Sequence, residues 1–363
     1  MKEHLMQMRP LFGKEEAEAV SAYMQSDVFI TEFRQTEEFE KRIAEFTGAK
    51  YCVATNNGTI SLSLAGMSIG LKAGDEVIVP NYTMVATPNS LKLLGVEPVF
   101  VDVERDSLCL DLELVRAAIT EKTKAIMLVS ANGRYPTYEV SQLFDLARER
   151  EIPIIEDAAQ SLGSYYPNGK HIGRMGVIGS FSFSAPKIIS TGQGGCVITD
   201  DYELYEKIRK LKDFGRESGG TDTHDSIGFN FKFTDLQAVV GIEQMKKLAT
   251  RVARKKEIWH RYSQKLAEID RIKLFDHDTT FTAPWFIDSL AQDRDGLIEF
   301  LKHKNIGTRV MYPPINGQKA YSKPGSYPVS ELVGRNGLWL PSMVQLTDDQ
   351  IDYVCSSINE YYS

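Results

Sequence analysis

One lysine stands out by its neighbours. Lys187 lies in SFSAPKIISTGQGG, Ser182–Gly195, directly after Pro186 and before Ile188 and Ile189. An ordinary lysine is a solvated surface charge. A loop that is apolar on both sides implies burial instead, and burial lowers an amine's pKa and makes it the nucleophile that Schiff-base chemistry needs. Gly192, Gly194 and Gly195 follow it and permit positive φ and close backbone approach. The order is not GxxxxGK[ST], so the stretch is no P-loop. A second candidate is Asp157 in IIEDAAQS, where two acids end an apolar run. Helix capping is the plain account of such an acid. The chemical account is a carboxylate beside a protonated ring nitrogen, which keeps the ring cationic and a strong electron sink. The third is Asn56-Asn57-Gly58-Thr59. A Gly-Thr step opening a helix offers free N–H groups and a hydroxyl to a phosphate, although capping alone also explains it.

The elements that would hold these residues alternate. Tyr51–Thr55, Glu76–Pro80, Pro98–Val103, Ala125–Ser130 and Pro153–Asp157 each have the pattern of a buried strand. A helical pattern runs from Gly58 towards Leu71 and another over Val140–Glu151. Gly179–Phe183 is a further strand leading into the lysine loop. This alternation predicts an α/β domain with a mostly parallel central sheet and helices on both faces. Ligands of such sheets bind at the carboxyl ends of the strands, where all three candidates fall. Beyond Tyr202 helices dominate, at Leu204–Phe214, Leu236–Leu248, Arg294–Lys304 and Asp348–Tyr362. The basic run Arg251–Lys265 continues a long helix with a solvated face. The expected boundary puts residues 1–248 in a large domain and 249–363 in a smaller C-terminal α/β domain. Residues 1–30 are expected to pack back on one of the two.

With 363 residues the chain is long enough for two domains. A net charge of −7 argues against a general nucleic-acid binder while leaving room for a local basic pocket. The six histidines show no metal-ligand spacing, and no metal is expected. Cys52, Cys109, Cys196 and Cys355 lie far apart, without a CxxC pair, and are expected as reduced thiols. No apolar run approaches a membrane span, and MKEHLMQMRPLFGKEE lacks the apolar centre of a signal peptide. A cytoplasmic protein is the expectation.

Taken together the segments resemble the DegT/DnrJ/EryC1/StrS family of sugar aminotransferases, and most nearly its perosamine-synthase-like members. The likeness is carried by GDEVIVPNYTMVAT (Gly74–Thr87), KAIM (Lys124–Met127), IIEDAAQSLG (Ile154–Gly163), FSFSAPKIISTGQGG (Phe181–Gly195), IGFNFKFTDLQAVVGIEQ (Ile227–Gln244) and IGTRVMYPP (Ile306–Pro314). It implies the type I fold of pyridoxal 5'-phosphate enzymes. It also implies roles. Lys187 would bond to the cofactor and then shuttle protons. Asp157 would pair with the pyridine nitrogen and Gln160 would lie near the ring hydroxyl. Gly58, Thr59 and Ser182 would hold the phosphate, joined by Asn230 from the neighbouring subunit of a homodimer. Met84 would cover the ring where many members place an aromatic residue. Arg309, Lys232 and Arg134 would face the diphosphate of a nucleotide-linked keto-sugar, with glutamate as the amine donor.

Several positions depart from the family pattern. The common GEGG is GQGG here, with Gln193; HLYG is replaced by Ser130-Ala131-Asn132-Gly133; and Lys232 stands where arginine is usual. A histidine near the end of the loop has no counterpart at Ile315, with Asn316 beside it. These fall on the substrate side and leave the sugar open. A keto-acid sugar such as an oxidised octulosonate is an alternative acceptor. Sugar dehydration is another reaction of relatives that carry histidine in place of the lysine. A non-catalytic regulator would be expected to add a DNA-binding segment, and none is evident.

Overall fold

A computed structural model describes residues 4–217 and 222–363. The chain opens with α1 (Lys14–Met24) and α2 (Arg34–Thr47). It continues through β1 (Tyr51–Thr55), α3 (Gly58–Ser68), β2 (Glu76–Pro80), α4 (Ala86–Lys92), β3 (Glu97–Val101), α5 (Leu112–Ala118), β4 (Thr123–Val129), α6 (Ser141–Glu149), β5 (Ile154–Asp157), β6 (Ile178–Ser182), β7 (Gly195–Thr199) and α7 (Tyr202–Lys212). The remainder comprises α8 (Asp235–Lys246), α9 (Leu248–Leu266), β8 (Ile272–Leu274), β9 (Ile287–Ala291), α10 (Arg294–His303), β10 (Arg309–Val310), α11 (Pro328–Asn336), β11 (Gly337–Leu340) and α12 (Asp348–Tyr362).

The first seven strands form one sheet in the order β1-β7-β6-β5-β4-β2-β3. Strands β3, β2, β4, β5 and β6 are mutually parallel, and β7 runs antiparallel to both β6 and β1. Two reversals cancel, so β1 points the same way as β6. Its carboxyl end therefore reaches the same edge as those of β5 and β6. Alternate residues serve opposite faces, as a two-sided buried sheet requires. Cys52 and Ala54 of β1 join Phe39, Ile43, Ala238 and Ile242 from α2 and α8, while Val53 joins Leu62, Leu64 and Ala65 of α3. In β2, Val77 and Val79 face the α3 side and Ile78 packs with Val115 and Leu143 of α5 and α6.

A second, antiparallel sheet has the order β10-β11-β9-β8 and packs with α9, α10 and α12. A further apolar cluster joins the two sheets. Tyr82, Val103, Leu108 and Ala131 from the large-sheet edge pack with Trp285, Phe286, Met311 and Trp339. The N-terminal segment touches both bodies: α1 and α2 pack on α8, and Leu5 bridges to Ile306.

The basic run 251–265 corrects one expectation. Arg251 and Lys255 are buried, with Ile258, Trp259 and Tyr262, so this face of α9 is not solvated. Arg251 donates to the carbonyls of Ile188 and Leu11 and to the Gln244 amide oxygen. All four cysteines are free and buried. No helix among the described residues is long and apolar enough to cross a membrane.

Candidate active site

Three strand ends and one helix start converge at the sheet edge. Asn57 caps α3, its side-chain oxygen accepting from the N–H of Ile60 at 3.0 Å. The N–H groups of Gly58 and Thr59 in that first turn take no partner among the described residues. Gly58 comes against the end of β6: a Cβ on it would lie 2.8 Å from the Cβ of Ser182. Gly195, opening β7, would likewise strike the carbonyl carbon of Asn57 at 2.7 Å. Only glycines let the turn and strands approach so closely. The result is a concave group of two N–H donors and the Ser182 hydroxyl at a helix N-terminus, which fits a phosphate.

Asp157 ends β5 and is buried. Its Oδ2 accepts from the Thr87 hydroxyl at 2.7 Å and its Oδ1 from the N–H of Ala159 at 3.2 Å. Thr83 shares a hydroxyl contact with Thr87 at 2.9 Å, which orients the donor. Burial pushes the Asp157 carboxyl above its ordinary value, while Thr87, Ala159 and the Lys187 charge pull it back. A cation brought to it would tip it fully to the ionised form.

Lys187 is half-buried in the turn that follows β6. That turn is closed by Phe183 N–H to Gly194 O at 2.8 Å and Thr191 N–H to Phe183 O at 2.9 Å. Burial brings the Lys187 amine down to about 8, with Asp157 opposing and Arg309 assisting. The amine sits 4.3 Å from the centre of the Trp285 ring. Gln160 lies three residues past Asp157, and its side-chain oxygen accepts from the N–H of Asn132 at 2.6 Å. Met84 is 43 % exposed just beyond β2, with its sulfur turned to the N–H of Ala86 at 3.0 Å. Asn230 is exposed on the stretch that bridges to Asp213.

The three expected cations separate. Arg134 is 4 % exposed and its charge is already committed inside the fold, which does not support the expected diphosphate contact. Its guanidinium pairs with Asp288 at 2.7 Å, donates to Ser107 O at 2.9 Å and lies over the Phe275 ring. Lys232 is paired with Asp213 at 2.8 Å. The Arg309 side chain lies over the Trp339 ring and makes no hydrogen bond or ion pair among the described residues. It alone of the three is uncommitted. Thr87 and Trp285 belong here and escaped the sequence reading. Thr87 could have been found as the polar residue ending GDEVIVPNYTMVAT; Trp285 stands in no motif.

A parallel sheet with a buried acid, a lysine of lowered pKa and a phosphate cradle at its carboxyl edge defines a type I pyridoxal-phosphate enzyme. The chain belongs to the DegT/DnrJ/EryC1/StrS aminotransferase family, whose model matches residues 10–359. It is 35 % identical over 357 residues to GDP-perosamine synthase of Escherichia coli O157:H7, covering 97 % of each chain. Among solved structures it resembles Spr1654 of Streptococcus pneumoniae in its PMP form, with 27 % identity, a TM-score of 0.92 and coverage of 99 % and 98 %. It also resembles DesV of S. venezuelae, with 30 % identity, a TM-score of 0.91 and coverage of 96 % and 94 %. The protein is a pyridoxal-phosphate-dependent aminotransferase.

Proposed function

We propose that this sugar aminotransferase moves an amino group from glutamate to a nucleotide-linked 4-keto-6-deoxyhexose. The product would serve cell-surface polysaccharide synthesis, with the enzyme acting as a cytoplasmic homodimer. The observation that carries the reading is the pair of half-buried Lys187 and buried Asp157, each pulling the other towards its charged form, with the uncommitted Arg309 beside them. The name of the Escherichia coli relative supports the nucleotide-sugar acceptor. In this reading residues 1–248 form the cofactor-binding domain and 249–363 the smaller one, consistent with one sheet in each.

When bound, pyridoxal phosphate supplies a carbonyl that takes up an amino group and a cationic ring that stores the electrons left when a Cα proton departs. Gly58, Thr59 and Ser182 would hold its phosphate, and Asn230 of a second copy would close that cradle. Asp157, fixed by Thr87, would keep the ring nitrogen protonated. Gln160, held by Asn132, would lie near the ring hydroxyl, and Met84 would cover the ring by van der Waals and sulfur contact. Lys187, with its amine lowered to about 8, is divided between neutral and charged forms near neutral pH and so can take and return a proton. Arg309 would face the anionic part of the sugar nucleotide; Lys232, paired here with Asp213, is the second candidate cation.

The test is incubation of purified protein with glutamate and a panel of keto-sugars, nucleotide-linked and keto-acid, read by mass spectrometry. An amino-sugar from a nucleotide-linked 4-keto-6-deoxyhexose is expected. Deoxygenation without an amine, or turnover of the keto-acid sugar alone, overturns the proposal.

A further inference from the structure

Trp285 sits on the approach to β9, remote in sequence from the lysine loop, and it is fixed on every side. Its indole N–H donates to Pro186 O at 2.7 Å, and its peptide N–H donates to Asn132 O at 3.3 Å. Its carbonyl accepts from the Lys255 amine at 2.6 Å. The next residue, Phe286, exchanges two hydrogen bonds with the Asn132 amide, at 2.6 and 2.8 Å. Asn132 adopts a left-handed backbone to make them, with φ 54° and ψ 25°. The indole stacks on Phe286 at 3.8 Å between centroids and meets Trp339 edge-on at 5.9 Å. Only 3 % of Trp285 is exposed, and its ring is presented to the Lys187 amine.

The amine has little else to hold it. Among the described residues it makes no hydrogen bond and no ion pair. The charged groups that act on it are Asp157 on β5, which favours the ammonium, and Arg309 on β10, which opposes it. Tyr312, following β10, feels both Asp157 and Arg309. One carboxylate and one cation thus oppose each other at the amine. With these two opposed and no ion pair to Lys187 among the described residues, the attraction the amine meets directly is the indole face, whose quadrupole draws an ammonium.

We propose that the face of Trp285 is the seat that receives the Lys187 ammonium whenever the amine is free, which makes Trp285 a positioning residue for the proton transfer. This rests on Lys187 being the amine that moves the proton. The seat is pinned to the lysine loop through Pro186 and to the Gln160 contact through Asn132, so lysine and ring wall keep one geometry. Lys255 and Asn132 hold the seat's backbone.

The test uses the cofactor-free protein. Competitive acetylation of Lys187 across pH, followed by mass spectrometry, gives the midpoint at which the amine becomes reactive. Trp285→Leu keeps the site dry but removes the ring face. The midpoint is expected to fall by about one pH unit, since the attraction favours the charged amine. Trp285→Phe keeps a ring face and loses the indole donor, and its midpoint is expected to stay within half that shift. Circular dichroism checks folding. If the leucine variant fails to fold, replacing the three tryptophans with fluorinated analogues weakens the ring quadrupole at constant shape and must lower the midpoint in turn. An unchanged midpoint in the folded leucine variant, or in the fluorinated protein, overturns the seat. Neither result depends on turnover, so failure of the seat and failure of the catalytic reading of Lys187 are told apart.

Discussion

Around Arg134 every charge has its counterpart. The guanidinium meets Asp288 through two nitrogens, at 2.7 and 3.2 Å, and the His277 ring at 3.0 Å. Burial holds His277 down at about 4, so near neutral pH its ring is uncharged and accepts there. Around Lys187 the balance is unfinished: a carboxyl pushed up by burial and an amine pushed down by it, with no ion pair between them. Both clusters are buried, polar and close to the same sheet edge. The satisfied one is scaffold, tying β9 to the large sheet. In the proposed reading the unsatisfied one is where a ligand with a phosphate, a basic ring nitrogen and an aldehyde would complete the hydrogen bonding and charge. Incomplete pairing, more than burial or charge, separates chemistry from support here.

The comparison breaks most sharply at Lys187. Lys187→Ala is expected to lose turnover by at least about 10²–10⁴-fold and to show no Schiff-base absorption with added cofactor. Its melting temperature should stay near the parent's, because the side chain makes no bond the fold depends on. Retained turnover would end the assignment.

At Arg134 the opposite outcome is expected. Arg134→Ala strands Asp288 without its partner, and breaking one side of a buried pair costs about 3–5 kcal/mol. Calorimetry should show the loss as a lower melting temperature, while turnover per folded molecule stays near the parent's. A variant of unchanged stability that no longer binds the sugar nucleotide would return Arg134 to the substrate side.

Thr87→Val sharpens the same contrast by a smaller step. The lost hydrogen bond to a buried carboxylate is worth about 1.5–3 kcal/mol. That bond favours the ionised acid, so its removal raises the Asp157 pKa further. The acid limb of the kcat/KM profile should therefore move to higher pH. A limb that does not move would mean Asp157 does not titrate in the reaction.

What could be read in the chain beforehand follows the reach of each interaction. The Asn57 cap, the Gly58 turn, Asp157 at its strand end and Lys187 among apolar neighbours are each set by residues a few positions away. Strands β1, β2 and β5 fall where their apolar runs place them. The pairings of Arg134 with Asp288, Asn132 with Phe286 and Trp285 with Pro186 join segments about a hundred residues apart or more, and no local pattern announces them. Strand β7 has a legible apolar run but no signal of its reversed direction. The α9 stripe was disguised. Arg251, Lys255, Ile258 and Tyr262 recur at helical spacing on one buried face, but the first two are basic and made the stripe look solvated.

Lys255 shows how far a buried cation can be satisfied without an acid. Its amine donates to Trp285 O and Ser342 O and meets no carboxylate among the described residues, and burial pushes it down to about 7. The unfolded chain holds that proton up to the ordinary lysine value of about 10.4. Between the two values the unfolded state binds more protons than the folded one, so stability rises with pH across that window. Below about pH 7 both states are charged and the burial penalty is fully present. Lys255→Met has no such group. Its melting temperature, relative to the parent's, should be highest near pH 6–7 and lose roughly 5 °C of that difference towards pH 10, as the parent's penalty is relieved. The two carbonyls left without a donor offset part of the variant's gain at every pH, which shifts the whole curve and leaves its slope intact. A difference that does not change with pH would show Lys255 charged throughout, its two carbonyl bonds sufficient to hold the ammonium.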